Sequence, residues 1–148
     1  MVGGMKTTIL RRLAHLSFGL VSAWQASAAA TADEEYTLSE RCLQNARAHW
    51  ESNYKNEAEK NKASTWVDYE NHYSRKLGKC FFMEIRATDQ SDGRVFMKYQ
   101  LIDLLDHKGI GFFWGFQNSQ NTSACKVKGT VCSNRIEWDI LIRPYMEE

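Results

Sequence analysis

The chain has 148 residues, 19 of them basic and 18 acidic, with 43% hydrophobic side chains, four cysteines and a single proline. The sequence shows no repeat, no low-complexity tract and no stretch after the N-terminal segment that resembles a membrane span. The near balance of charge argues against nucleic acid or an anionic membrane as the main partner, because both are recognised through concentrated positive charge.

The first 12 residues carry Lys6, Arg11 and Arg12 and no acidic side chain; a mostly apolar stretch, Leu13 to Trp24, precedes Gln25-Ala26-Ser27-Ala28-Ala29-Ala30. Basic, apolar, then small is the order of a cleavable secretory signal, and two A-x-A triplets place the mature start near Ala29 or Thr31. The apolar stretch of about 12 residues is too short for a membrane span, which needs about 20. Arg11-Arg12 admits a twin-arginine reading beside that of an ordinary basic n-region. Cys42 follows Ser39-Glu40-Arg41, a setting that does not support lipid anchoring. The expectation is therefore a signal over residues 1–30 and one exported domain over 31–148, periplasmic or secreted, with no membrane contact after cleavage. All 18 acidic residues follow position 30 while three basic ones precede it, so the mature domain has a net charge near −2.

Thr37-Leu38-Ser39-Glu40 is a capping-box pattern, with Asp33, Glu34 and Glu35 where a helix start favours negative charge. Leu38, Cys42, Ala46, His49, Trp50 and Asn53 recur at spacings of three and four and give this first helix an apolar face. Residues 56–64 are almost wholly polar and read as a solvated helical extension or a connection. Trp66, Tyr69, Tyr73 and Leu77 keep the helical spacing, with Gly78 as a C-terminal residue, and predict a second helix whose aromatic stripe is core rather than a ligand platform.

From Lys79 the period becomes two: Phe81, Met83 and Ile85 oppose Cys80, Phe82, Glu84 and Arg86, which predicts a strand. A turn at Asp92-Gly93 leads to a strand over residues 94–105, with Val95, Met97, Tyr99 and Leu101 on one face. After a turn over residues 106–109, a strand over 110–117 sets Ile110, Phe112, Trp114 and Phe116 against Gly111, Phe113 and Gly115. The strand is read as central, since the helices supply enough aromatic surface to cover it; the alternative is that one face is open and Phe113 joins an aromatic binding patch. A final helix starts at Ser133 or Asn134, turns Trp138, Leu141 and Ile142 inward, and ends at Arg143-Pro144. The fold class is α+β, an antiparallel meander of three to five strands with helices packed on one face.

Cys42, Cys80, Cys125 and Cys132 all lie in the mature part, and an even count in an exported domain reads first as disulfides. A hairpin turning at Lys128-Gly129 sets Cys125 opposite Cys132 at disulfide distance, leaving Cys42 to join the first helix to the first strand at Cys80. Zinc is the competing reading, disfavoured by the lack of short paired spacings such as C-x₂-C.

The most enzyme-like cluster is Asp68, Glu70 and His72. On a helix Asp68 and His72 stand four apart and could share a proton or a metal ion, although a surface ion pair explains them equally. His49 reads as a core histidine and His107 as a turn residue. No serine sits in a G-x-S-x-G setting, no glycine loop suits phosphate, and no cofactor is implied.

The run His72-Tyr73-Ser74-Arg75-Lys76-Leu77-Gly78-Lys79-Cys80-Phe81, with Cys132 and the segment Trp138 to Met146, resembles a group of small exported bacterial proteins without assigned function. The resemblance covers Trp66 to the C-terminus and implies a signal peptide, paired cysteines and a small α+β domain, but no functional residue. The functional expectation is a small exported binding or structural domain, not an enzyme, whose partner is an envelope protein or a glycan. Two alternatives stand beside it: an inhibitor of a cell-wall hydrolase such as lysozyme, and a small hydrolase or metal-dependent enzyme using Asp68, Glu70 and His72.

Overall fold

Thr31, one of the two residues near which the mature chain is expected to begin, is the N-cap of a helix. The computed structural model describes residues 31–60, 63–119 and 122–147; the proposed signal segment lies outside them. Thr31 and Glu34 form a reciprocal capping box for α1, Ala32–Asn53. The same T-x-x-E pattern recurs at Thr37 to Glu40, the expected start. There Thr37 lies inside the helix and its hydroxyl donates to the Asp33 carbonyl. A short α2, Lys55–Lys60, continues the polar stretch.

The segment expected as a second helix is a strand. β1, Thr65–Ser74, pairs antiparallel with β2, Lys79–Asp89, through the full register Thr65↔Thr88 to Ser74↔Lys79. Trp66, Tyr69 and Tyr73 satisfy a helical period, but five of the ten residues, Thr65, Trp66, Val67, Tyr69 and Tyr73, are β-branched or aromatic types that fit a pleated surface. The turn at 75–78, with Gly78 at φ 61°, allows an immediate return beside β2, so tertiary pairing overrides the local period. Trp66, expected in the core, is 55% exposed. Tyr69 and Tyr73 do pack against the core around Phe82.

The meander continues through β3, Val95–Asp103, β4, Lys108–Phe116, β5, Thr122–Val127, and β6, Thr130–Val131, in the order β1-β2-β3-β4-β5-β6. The α+β antiparallel architecture is as expected, with six strands rather than three to five; the added member is β1, since the hairpin of β5 and β6 is already expected. Lys128 and Gly129, at φ 43° and 92°, form the two-residue turn with both central residues left-handed that suits a hairpin's twist. Cys125 and Cys132 flank this hairpin and are bonded, Cα to Cα 5.0 Å apart. Cys42 of α1 is bonded to Cys80, Cα to Cα 5.3 Å, and Cys80 stands on the second strand rather than the first.

Helices lie on both faces of the sheet, not on one. α1 covers β1 and β2 from the side of Cys80 and Phe82, where Cys42, Ala46 and Leu104 close a first core. Phe82 is its centre, with the rings of Tyr69, His49 and Tyr54 at 5.0, 4.8 and 5.8 Å. Alternation sends Phe81 and Met83 to the other face, where they join Tyr99, Leu101, Phe113, Val127, Trp138 and Ile142 in the larger core. There α3, Arg135–Met146, capped by Asn134, approaches β1 on one side and β4 and β5 on the other, so the sheet curls around it. Both faces of β2 are thus covered, and Cys80 to Met83 are all buried. The expected stop at Arg143-Pro144 does not occur; the helix runs through Pro144 to Met146. Pro144 removes only the bond to the carbonyl of Ile140, a residue 56% exposed, so in the last turn the loss is small.

Candidate binding face on the open half of the sheet

α1 and α2 cover β1 and β2 and meet the same face of β3 only at its end, where Ile102 and the following Leu104 pack against the cluster around Cys42 and Ala46. Away from that end, no helix among the described residues lies on the same face of β3, β4, β5 and β6, and pairing register shows which residues share it. Phe96 stands beside Phe116, Lys98 beside Trp114, Gln100 beside Phe112, Phe112 beside Lys126, Trp114 beside Ala124, and Lys126 beside Val131. The rings of Phe112 and Trp114 lie 5.0 Å apart at 35° and form the centre of the patch. Trp114 is 40% exposed, while Phe96, Phe112 and Phe116 are half-buried. Lys98 Nζ stands 5.5 Å from the Trp114 ring, and the Arg94 guanidinium lies 3.9 Å from the Phe116 ring. A shallow groove runs from Gln100 across Phe112 and Trp114 to Lys126 and Gly129, floored in part by the bare backbones of Gly109 and Gly111.

The favoured reading of this strand, central and covered on both faces, does not hold among the described residues; the alternative aromatic patch is the closer one, but not with Phe113 in it. Phe113 is buried against Tyr99 and Trp138; the residues that look outward are its neighbours Phe112 and Trp114. The alternation was legible in the sequence. Which half of it would be covered depended on where α1 stops.

From Lys108 to Ile136 the chain carries Lys108, Lys126, Lys128 and Arg135 and no acidic residue. At the border with the covered half sits an ionic cluster. Arg86 is bonded to Glu57 of α2 and, at 2.9 Å, to Glu84, which is buried. These bonds hold the Glu57 carboxyl below its usual range and raise the Arg86 guanidinium above its own. Burial, together with Glu84, pushes the Tyr54 hydroxyl up to about 12. The two carboxylates beside the patch are thus engaged by Arg86, although Glu57 still feels Lys98. At the opposite end of the sheet Lys79 bridges the buried Asp103 and the exposed Asp106, which together raise its pKa.

The enzyme-like cluster is not brought together. Asp68, Glu70 and His72 occupy alternate positions of β1 on one face, and four residues of strand separate Asp68 from His72 by about 13 Å. On a helix they would be neighbours; on a strand they cannot share a proton or one metal ion. Asp68 instead accepts from the Tyr69 amide at 2.8 Å. Among the described residues no group of three metal-ligating side chains converges, and all four cysteines are in disulfides.

A second groove runs between α1 and the turn after β3, lined by Asn45, His49, Asn53, Leu104 and His107. Sequence reasoning treated its two histidines separately because nothing in their spacing brings position 107 beside position 49. Burial first, and the proximity of His107 second, hold the His49 pKa below 6.5. His49 Nε2 is enclosed without a hydrogen-bond partner. On the α3 side the Arg135 guanidinium lies 4.0 Å from the Tyr99 ring and pairs with Asp139 at 2.7 Å, a structural use of that charge.

No protein-family model, no curated protein and no solved structure matches the chain. The functional reading therefore rests on the residues of this face.

Proposed function

We propose that the chain is an exported, disulfide-stabilised domain that works by binding, and that β3, β4, β5 and β6 present its ligand surface. The observation that carries this reading is the uncovered sheet half on which Phe112 and Trp114 stand between Lys98 and Lys126. A contiguous aromatic patch rimmed by polar side chains is kept exposed at a cost in solubility, and such patches mark interaction sites. Two disulfides favour an oxidising compartment. The capping box supports cleavage after Ala30: a chain beginning at Thr31 retains the cap, whereas one beginning at Ala32 loses it. Intact mass of exported protein checks this, and a chain still carrying Met1 overturns it.

The binding reading is tested with immobilised mature domain and native envelope extract. Material retained by the wild type and by a Trp66→Ser control but released by a Phe112→Ser, Trp114→Ser variant supports it. Equal retention by all three refutes it. Thermal melts confirm that each variant is folded.

A further inference from the structure

We infer that the occupant of this face is an acidic polysaccharide bearing about one carboxylate per disaccharide, an inference that rests on the binding reading above. Three observations converge on it. The first is the composition of the patch. Lys98 and Lys126 flank the aromatic pair Phe112 and Trp114 from the two neighbouring strands, each directly beside a ring. Lysine is depleted at protein interfaces, where its hydrated ammonium must be stripped of water. A hydrated chain ligand leaves that water in place and accepts the charge as a long-range contact. The aliphatic lysine stems, the ring faces of Phe112 and Trp114, and the Gln100 carboxamide match the apolar faces and hydroxyls of sugar rings.

The second is the sign of the field. No acidic residue occurs from Lys108 to Ile136, and Glu84 and Glu57 at the border are bonded to Arg86. Acidic side chains gather instead on α1, with Asp33, Glu34 and Glu35 in its first turn. A polyanion is drawn to β4, β5 and β6 and repelled from the helical side, although the domain as a whole is not basic.

The third is charge spacing. Lys98 pairs with Trp114, and Lys126 pairs with Phe112 two residues along the same strand. The two lysines thus lie on a diagonal, two strands across and two residues along, with α-carbons about 12 Å apart. A single-stranded nucleic acid offers a phosphate at every nucleotide, far denser than two lysines on that diagonal can match. A glycan with one carboxylate in every second sugar offers charge at the scale of the diagonal, with rings between to stack on Phe112 and Trp114.

The test is calorimetric titration of the oxidised mature domain with hyaluronan oligosaccharides, which carry one carboxylate per disaccharide. A neutral maltooligosaccharide and a single-stranded thymidine oligonucleotide serve as comparators. The expected result is binding of hyaluronan alone, weakened by added salt. It should fall about tenfold or more in the Lys98→Gln, Lys126→Gln variant and disappear in Trp114→Ala, with Trp66→Ala unchanged. Equal binding of the neutral sugar, or tighter binding of the oligonucleotide, overturns the inference. So does the absence of any saccharide binding. If envelope material is still retained through Trp114 in that case, the binding face survives and only its occupant is wrong. Hyaluronan binding that ignores both the lysine and the Trp114 changes overturns the inference and removes this face as the site.

Discussion

The indole of Trp138 seats on the bare backbone of Gly111. A Cβ at that position would stand 3.2 Å from Trp138 Cζ3, 3.0 Å from Val127 Cγ2 and 2.8 Å from the Lys126 carbonyl oxygen. Two of these neighbours are backbone or a packed ring and cannot swing aside. Gly111→Ala should therefore destabilise the domain by about 1 to 3 kcal/mol through overpacking. Trp138→Ala, which empties the centre of the larger core, should cost about 3 to 5 kcal/mol. Urea unfolding measures both, and a wild-type midpoint for Gly111→Ala would contradict the packing described.

Trp66 and Phe82 separate the two faces of the first hairpin. Trp66 is 55% exposed and Phe82 fully buried. Trp66→Ala should change stability by no more than about 0.5 kcal/mol, whereas Phe82→Ala should cost about 3 to 5 kcal/mol because it removes the ring on which Tyr54, Tyr69 and His49 converge. Thermal melts of the two variants decide it; comparable losses would return Trp66 to the core.

The two disulfides should differ in weight. Cys42 and Cys80 are 38 residues apart in sequence, Cys125 and Cys132 only 7. On the chain-entropy account the longer loop contributes about 4 kcal/mol and the shorter about 2. Paired Cys→Ala variants of each bridge, compared by denaturant midpoint, test the order. Peptide mapping without reduction should recover Cys42 with Cys80, and a Cys42 to Cys132 linkage would refute the connectivity.

His49 should remain neutral at pH values where an ordinary histidine is charged. Burial, followed by His107, lowers its folded pKa, with Glu84 opposing. The folded state then binds fewer protons than the unfolded state once the pH falls below about 6.5. Its stabilising contribution is complete above that value and is lost as pH falls through the folded pKa. Imidazole resonances should titrate with a midpoint below 6.5 for His49, moving upward in His107→Gln. A midpoint unaffected by that change would show that the two rings do not interact.

Much of the architecture was written in local pattern. Alternation at Phe81, Phe82 and Met83, the left-handed turn at Lys128-Gly129 and the Asn134 cap each need only neighbours a few residues away, so the β2, β5–β6 and α3 assignments followed directly from residue order. The Cys125 to Cys132 bond followed from the same hairpin register. Segment 66–77 was misread because its aromatic residues satisfy a 3.6 period and a pleat at once, and pairing with β2 decided between them. That single choice also dissolved the Asp68, Glu70 and His72 cluster, since positions four apart meet on a helix and lie about 13 Å apart on a strand. The proposed binding face was half legible: residue order placed Phe112 and Trp114 on one side of β4. Only the tertiary structure could leave that side uncovered, because the end of α1 and the curl of the sheet about α3 depend on contacts between residues distant in the chain.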